Sequence, residues 1–146
     1  MKKAFTIMEL IFVIVIIGIL AAVAIPRLFT GITDAQLAKA KTQIATIRSG
    51  ISSMYSKNIL NGQSDTCPEL EKSTSDNKLF EGVLKDAIPE NQTDVKWVFD
   101  TNNSTVVKYK IVISDKNTTF TYEKNATKGC PFTCNSADSL CQKLSK

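Results

Sequence analysis

Glu9 and the four cysteines, Cys67, Cys130, Cys134 and Cys141, are the residues of this 146-residue chain whose types and settings could do chemistry. Glu9 stands near the start of an otherwise apolar run, residues 5–25. A charge inside a membrane helix costs on the order of 2.5–3.5 kcal/mol at its centre and less toward its end. The chemistry open to such an acid is pairing with a cation, and a plain anchor has no use for it. The cysteines can close disulfides or hold a metal. Catalysis finds few tools. The chain has no histidine, so Ser-His-Asp and Cys-His arrangements are absent. Its six glycines form no phosphate-cradling loop, and there is no D-x-D-x-D-G calcium loop. Glu69 and Glu71 read as solvated surface. The expectation is a protein that is not an enzyme and needs no cofactor.

The element that must position Glu9 is a helix. Residues 10–25 hold twelve Leu, Ile, Phe or Val side chains. At roughly −0.3 to −0.6 kcal/mol each, they favour insertion by about 4 to 7 kcal/mol. Residues 5–25 would span about 31 Å as a helix, close to a bilayer core. Nine of the sixteen residues 10–25 are β-branched, which disfavours helix in water. In hydrocarbon the backbone must satisfy its own hydrogen bonds, and a single segment does so as a helix. Lys2 and Lys3 place the N-terminus in the cytoplasm and the rest of the chain outside. A secretory signal with an Ala22-Val23-Ala24 cleavage site is the bland alternative. The run exceeds the usual apolar length, contains an acid, and would put Pro26 two residues past the cut.

Over residues 2–28 the chain resembles the type IV pilins and the pseudopilins of type II secretion. The residues that carry the resemblance are Lys2-Lys3, Ala4, Phe5-Thr6-Ile7-Met8-Glu9-Leu10, Gly18 and Pro26. The resemblance implies a leader peptide at 1–4, a transmembrane and assembly helix at 5–28, and a periplasmic or extracellular head at 29–146. It implies cleavage between Ala4 and Phe5 by a prepilin peptidase, with N-methylation of Phe5. Glu9 then pairs with the Phe5 ammonium of a neighbouring subunit, and Pro26 bends the helix. The implied partners are other pilin-like subunits, the prepilin peptidase and an inner-membrane assembly platform, and the implied location is the bacterial inner membrane. Ala4 departs from the family's usual glycine before the cut, which implies slower cleavage.

Beyond Pro26 the helix is expected to continue. Leu37, Ala40, Ile44, Ile47, Ile51 and Met54 recur at helical spacing to about residue 57, with Asp34, Lys39, Lys41, Gln43 and Arg48 on the opposite face. Asn61-Gly62 should end it. Residues 61–77 read as loop and 78–88 as a short helix with Leu79, Val83 and Leu84 inward. Strands are expected at 95–99, 105–113 and 118–123, alternating in polarity and joined by turn-rich segments as an antiparallel meander. The fold class is α+β: a long N-terminal helix, part membrane and part amphipathic, packed on a small antiparallel sheet, with a disulfide-bonded C-terminal region. This pilin-like roll is also what the resemblance implies.

On the non-cytoplasmic side cysteines oxidise readily, and a small head gains from a staple. Four cysteines allow three pairings, and spacing does not choose among them. We favour Cys67–Cys130 with Cys134–Cys141. A four-thiolate zinc site is the alternative, with spacing poor for paired knuckles. The resemblance implies a C-terminal loop closed by a disulfide and facing partners, for which residues 130–141 are the candidate.

Formal net charge is +4, of which Lys2 and Lys3 supply two, leaving +2 after processing. Lys124, Lys128, Lys143 and Lys146 gather late in the chain; contact with DNA would use them, but no arginine or aromatic pattern accompanies them. Five Asn-x-Ser/Thr tripeptides begin at Asn91, Asn102, Asn103, Asn117 and Asn125. Three carry an acid two residues earlier (Asp100, Asp115 and Glu123), a pattern that looks like the extended acceptor of some bacterial N-glycosylation systems. The competing explanation is chance in a region rich in Asn and Thr. The expected function is a filament subunit; the rival is a secreted or anchored binding domain acting as a monomer.

Overall fold

A computed structural model describes residues 6–72, 77–90 and 92–145, except for the side chains of 23–32. Helix α1 runs Ile7–Leu60. It starts at Thr6, whose hydroxyl accepts the Glu9 N–H at 3.3 Å while its carbonyl accepts the Leu10 N–H at 3.1 Å. It stops at Gly62, where φ is +79°. The Gln63 N–H reaches the Asn58 carbonyl at 2.8 Å and the Gly62 N–H reaches Ile59 at 3.0 Å. Glycine adopts this left-handed stop without steric cost. The chain divides into two compact units, Met1–Ala35 and Gln36–Lys146.

In the second unit, short strands β1 (Lys78–Leu79) and β2 (Ile88–Pro89) form an antiparallel pair. A four-stranded antiparallel sheet follows in the order β3 (Val95–Asn102), β4 (Val106–Ile113), β5 (Lys116–Glu123) and β6 (Phe132–Cys134). A 3-10 turn at Ala126–Lys128 precedes β6, and helix α2, Ser139–Ser145, closes the described chain. The meander expected from alternation is present; β3 and β5 extend beyond their expected bounds, and β4 begins one residue later than expected. Val95 and Trp97 on β3, Val107, Tyr109, Ile111 and Ile113 on β4, and Phe120 and Tyr122 on β5 are all buried. They join Ala40, Ile44, Ile47 and Ile51 of α1 in one core. The helical stripe and the inner sheet face are each incomplete alone and cover one another, as an antiparallel sheet with one wet face requires.

Three expectations need correction. Residues 78–88 are not a helix. Phe80 sits at φ +66°, outside right-handed helical space. The segment instead folds back, with the Gly82 N–H on the Leu70 carbonyl at 2.8 Å. A β-carbon on Gly82 would collide with the Glu69 carbonyl, so the chain passes there only without a side chain. Gln43 does not face solvent: its amide oxygen accepts the Trp97 indole N–H at 2.9 Å. Residues 130–141 are not all loop, since β6 and α2 lie within or begin in them. Asp138 caps α2, accepting the Leu140 N–H at 2.9 Å.

Candidate functional site

The sequence places candidate chemistry at two locations, the first turns of α1 and the cysteine-bearing end of the head. In the first, Glu9 occupies the initial turn of α1. Thr6 and Glu9 have the spacing of a capping box, and the Thr6 half of it is formed. A carboxylate there also meets the positive end of the helix dipole. The bond formed uses the Glu9 backbone N–H, not its carboxylate; sequence reasoning missed the box, although the Thr-x-x-Glu pattern was visible.

Around Glu9 the apolar side chains are uncovered. Ile7 and Met8 are each 78% exposed, and Leu20 is 65% exposed. Phe12, Ile14, Ile17 and Ile19 are likewise exposed. Among the described residues no helix is long and apolar enough to cross a membrane. Ala4 and Phe5, the expected processing residues, lie outside the described residues, as does the side chain of Pro26; helix α1 is continuous through position 26 in its backbone assignment.

In the head all four cysteines are bonded. Cys67 joins Cys130 with Cα atoms 5.7 Å apart, and Cys134 joins Cys141 at 5.9 Å. No sulfur is left as a zinc ligand. Among the described residues no group of acids and cysteines could hold a metal ion. The first bridge ties the segment after α1 to the loop leading into β6, and the second ties β6 to α2. Arg48 of α1 reaches the same region, its Nε–H donating to the Phe132 carbonyl at 3.2 Å.

The late lysines are partly engaged. Lys124 pairs with Glu69 at 2.8 Å and Lys128 with Glu123 at 3.2 Å. That leaves less free positive charge than the sequence count suggests, and Lys146 lies outside the described residues. Glu71, expected as solvated surface, is half-buried. Its carboxylate accepts the Tyr109 hydroxyl at 2.7 Å and the Phe80 N–H at 3.1 Å. Burial pushes the Glu71 carboxyl above its ordinary value, against the opposing effect of these two hydrogen bonds. Burial likewise raises the Tyr109 phenol, with the Glu71 hydrogen bond adding to the shift. This cluster holds Phe80 in its left-handed conformation and is structural in form.

No protein-family model, no curated protein and no solved structure matches this chain.

Proposed function

We propose that this chain is a structural subunit of a type IV pilus-like filament, either a type II secretion pseudopilin or a type IV pilin. In this reading a prepilin peptidase cuts between Ala4 and Phe5, Phe5 is methylated, and an inner-membrane platform assembles the subunit through its N-terminal helix. The chain sits in the bacterial inner membrane with its N-terminus cytoplasmic until assembly moves the head outward.

The observation that carries the reading is the uncovered apolar surface of α1 with one acid in its first turn. Burying a large aliphatic side chain is worth about 1.5–3 kcal/mol, so a dozen left in water would be strongly unfavourable. Lipid covers them before assembly, and neighbouring helices cover them after it. In either setting the Glu9 charge needs a partner. The amine freed at Phe5 of an adjacent subunit supplies one, and their attraction strengthens as the dielectric falls. The pair thus favours assembly and sets register between subunits.

The capping geometry dictates the test. Glu9→Gln keeps a side chain able to serve a capping box and removes the charge, whereas Glu9→Ala removes both. Filament incorporation is measured by shearing and immunoblotting, with membrane level as the control. Both variants should reach wild-type membrane levels, and both should lose most incorporation. Normal incorporation of Glu9→Gln would show that Glu9 acts only as a cap and would refute the pairing.

A further inference from the structure

The proposed function uses none of the Asn-x-Ser/Thr tripeptides, and the structure separates them. Asn91 lies outside the described residues. Asn125 is half-buried, and its side-chain oxygen accepts the Thr127 hydroxyl. The acid two residues before it, Glu123, is held by Lys128 at 3.2 Å. All three parts of that acceptor are already engaged. Asn117 is exposed, but it lies in β5, an inner strand of the sheet, paired with Val112, and its Thr119 is half-buried. Asn103 has Thr101 rather than an acid two positions before it.

Asn102, although paired with Val107 across the sheet, has a more accessible setting. It is the last residue of β3, which forms an edge of the four-stranded sheet. The β3–β4 register shifts between Phe99 and Thr101, so Asp100 is the bulged residue. A bulge frees its residue from the ladder and turns the strand locally. Ser104 lies in the turn that follows, where the Asn103 N–H bonds the Val106 carbonyl at 2.8 Å. Asp100, Asn102 and Ser104 are all exposed. Among the described residues, no side-chain hydrogen bond holds any of the three. An acid, an amide and a hydroxyl at alternate positions along the end of an edge strand and into its turn can be gripped together by an enzyme that binds extended chain.

We propose that Asn102 is an N-glycosylation site, filled after folding from a lipid-diphosphate-linked oligosaccharide by a membrane-bound transferase. The Asn102 carboxamide nitrogen attacks C1 of the reducing-end sugar. A nitrogen–C1 bond forms, the bond from C1 to the diphosphate oxygen breaks, and the lipid diphosphate departs with that electron pair. One amide proton passes to a base of the transferase, and nothing is oxidised or reduced. Asp100 supplies charge and Ser104 a hydroxyl for recognition. The proposal rests on the reading that the head lies outside the cytoplasm, where the two disulfides also form.

The test is intact mass of the full-length mature chain from membranes of its native host, alkylated without reduction. The wild type should exceed its sequence mass by one glycan. The increment should vanish in Asn102→Gln, Ser104→Ala and Asp100→Ala. It should persist in Thr105→Ala, which removes only the Asn103 acceptor, and in Asn117→Gln and Asn125→Gln. An oxidised wild-type chain with no added mass would overturn the glycan proposal and leave the filament reading intact. An increment that survives Asn102→Gln would overturn the assignment to this residue. Four alkylated cysteines would overturn both readings, because the head would then lie in a reducing compartment.

Discussion

Glu71 and Glu9 are both acids that sequence alone does not distinguish in detail, and their surroundings give them different physics. Glu71 faces the Tyr109 hydroxyl and the Phe80 N–H from a half-buried position. Its carboxyl titrates above the ordinary value because burial outweighs those two bonds. The folded chain therefore keeps the Glu71 proton to higher pH than the unfolded chain does. Stability contributed by this group falls as pH rises from the ordinary carboxylate value through the raised one, and is level above that window. Glu71→Gln should lack this fall. Denaturant midpoints of the full chain in detergent, taken from pH 4 to pH 7, should show wild type losing ground to Glu71→Gln as pH rises. A constant difference across that range would contradict the assignment. Glu71→Ala should cost about 1–3 kcal/mol at every pH, because it strands two buried donors. Neither hydrogen bond was legible in sequence. Glu71 lies 38 residues from Tyr109 in sequence, and nothing local to Glu71 marks it as enclosed.

At the scale of elements, what could be read in advance was what a periodic pattern encodes. Ala40, Ile44, Ile47 and Ile51 recur at steps of three and four and are buried in that order along α1. The alternation in β4 places Val107, Tyr109, Ile111 and Ile113 inward. Asn61-Gly62 ended α1 because the left-handed stop is written in a glycine. The failures share a cause. Leu79, Val83 and Leu84 have helical spacing, yet the backbone turns at Phe80 and Gly82 to meet the segment holding Glu69 and Leu70. Such a tertiary contact overrides local periodicity and leaves no short-range trace. Strand β6 and helix α2 are three and seven residues long, too short to show a period, and the interval between cysteines masked them. Gln43 was misplaced because its burial depends on the one indole donor across the core. Ile44→Ala should destabilise the head by about 2–5 kcal/mol, whereas Lys41→Ala on the exposed face should stay within about 0.5 kcal/mol. Gly82→Ala should cost about 1–3 kcal/mol, since the Glu69 carbonyl must move aside. Thermal unfolding of the three variants ranks them, and a neutral Gly82→Ala would show that the close approach relaxes freely.

At the scale of the whole molecule the two units make opposite demands on their surroundings. The unit Met1–Ala35 leaves its described apolar side chains uncovered, whereas Gln36–Lys146 encloses a core and staples it. Chain-entropy arithmetic separates the staples. The Cys67–Cys130 bridge spans 63 positions and Cys134–Cys141 spans 7, which correspond to about 4 and about 2 kcal/mol. Replacing both members of the longer bridge by serine should therefore lower the denaturation free energy more than replacing both members of the shorter one. The reverse ranking would show that the shorter bridge is held by native contacts rather than by loop closure. In the proposed function, lipid and then a neighbouring subunit cover the apolar side chains around Glu9. The mature N-terminus reports on that directly. Mass spectrometry of the chain from membranes of its native host should find Phe5 first, with a methylated amine. A chain beginning at Ile25 would mean a secreted head without its helix, and an intact Met1 would mean an anchor with no freed amine for Glu9. Either result would contradict filament assembly through this helix.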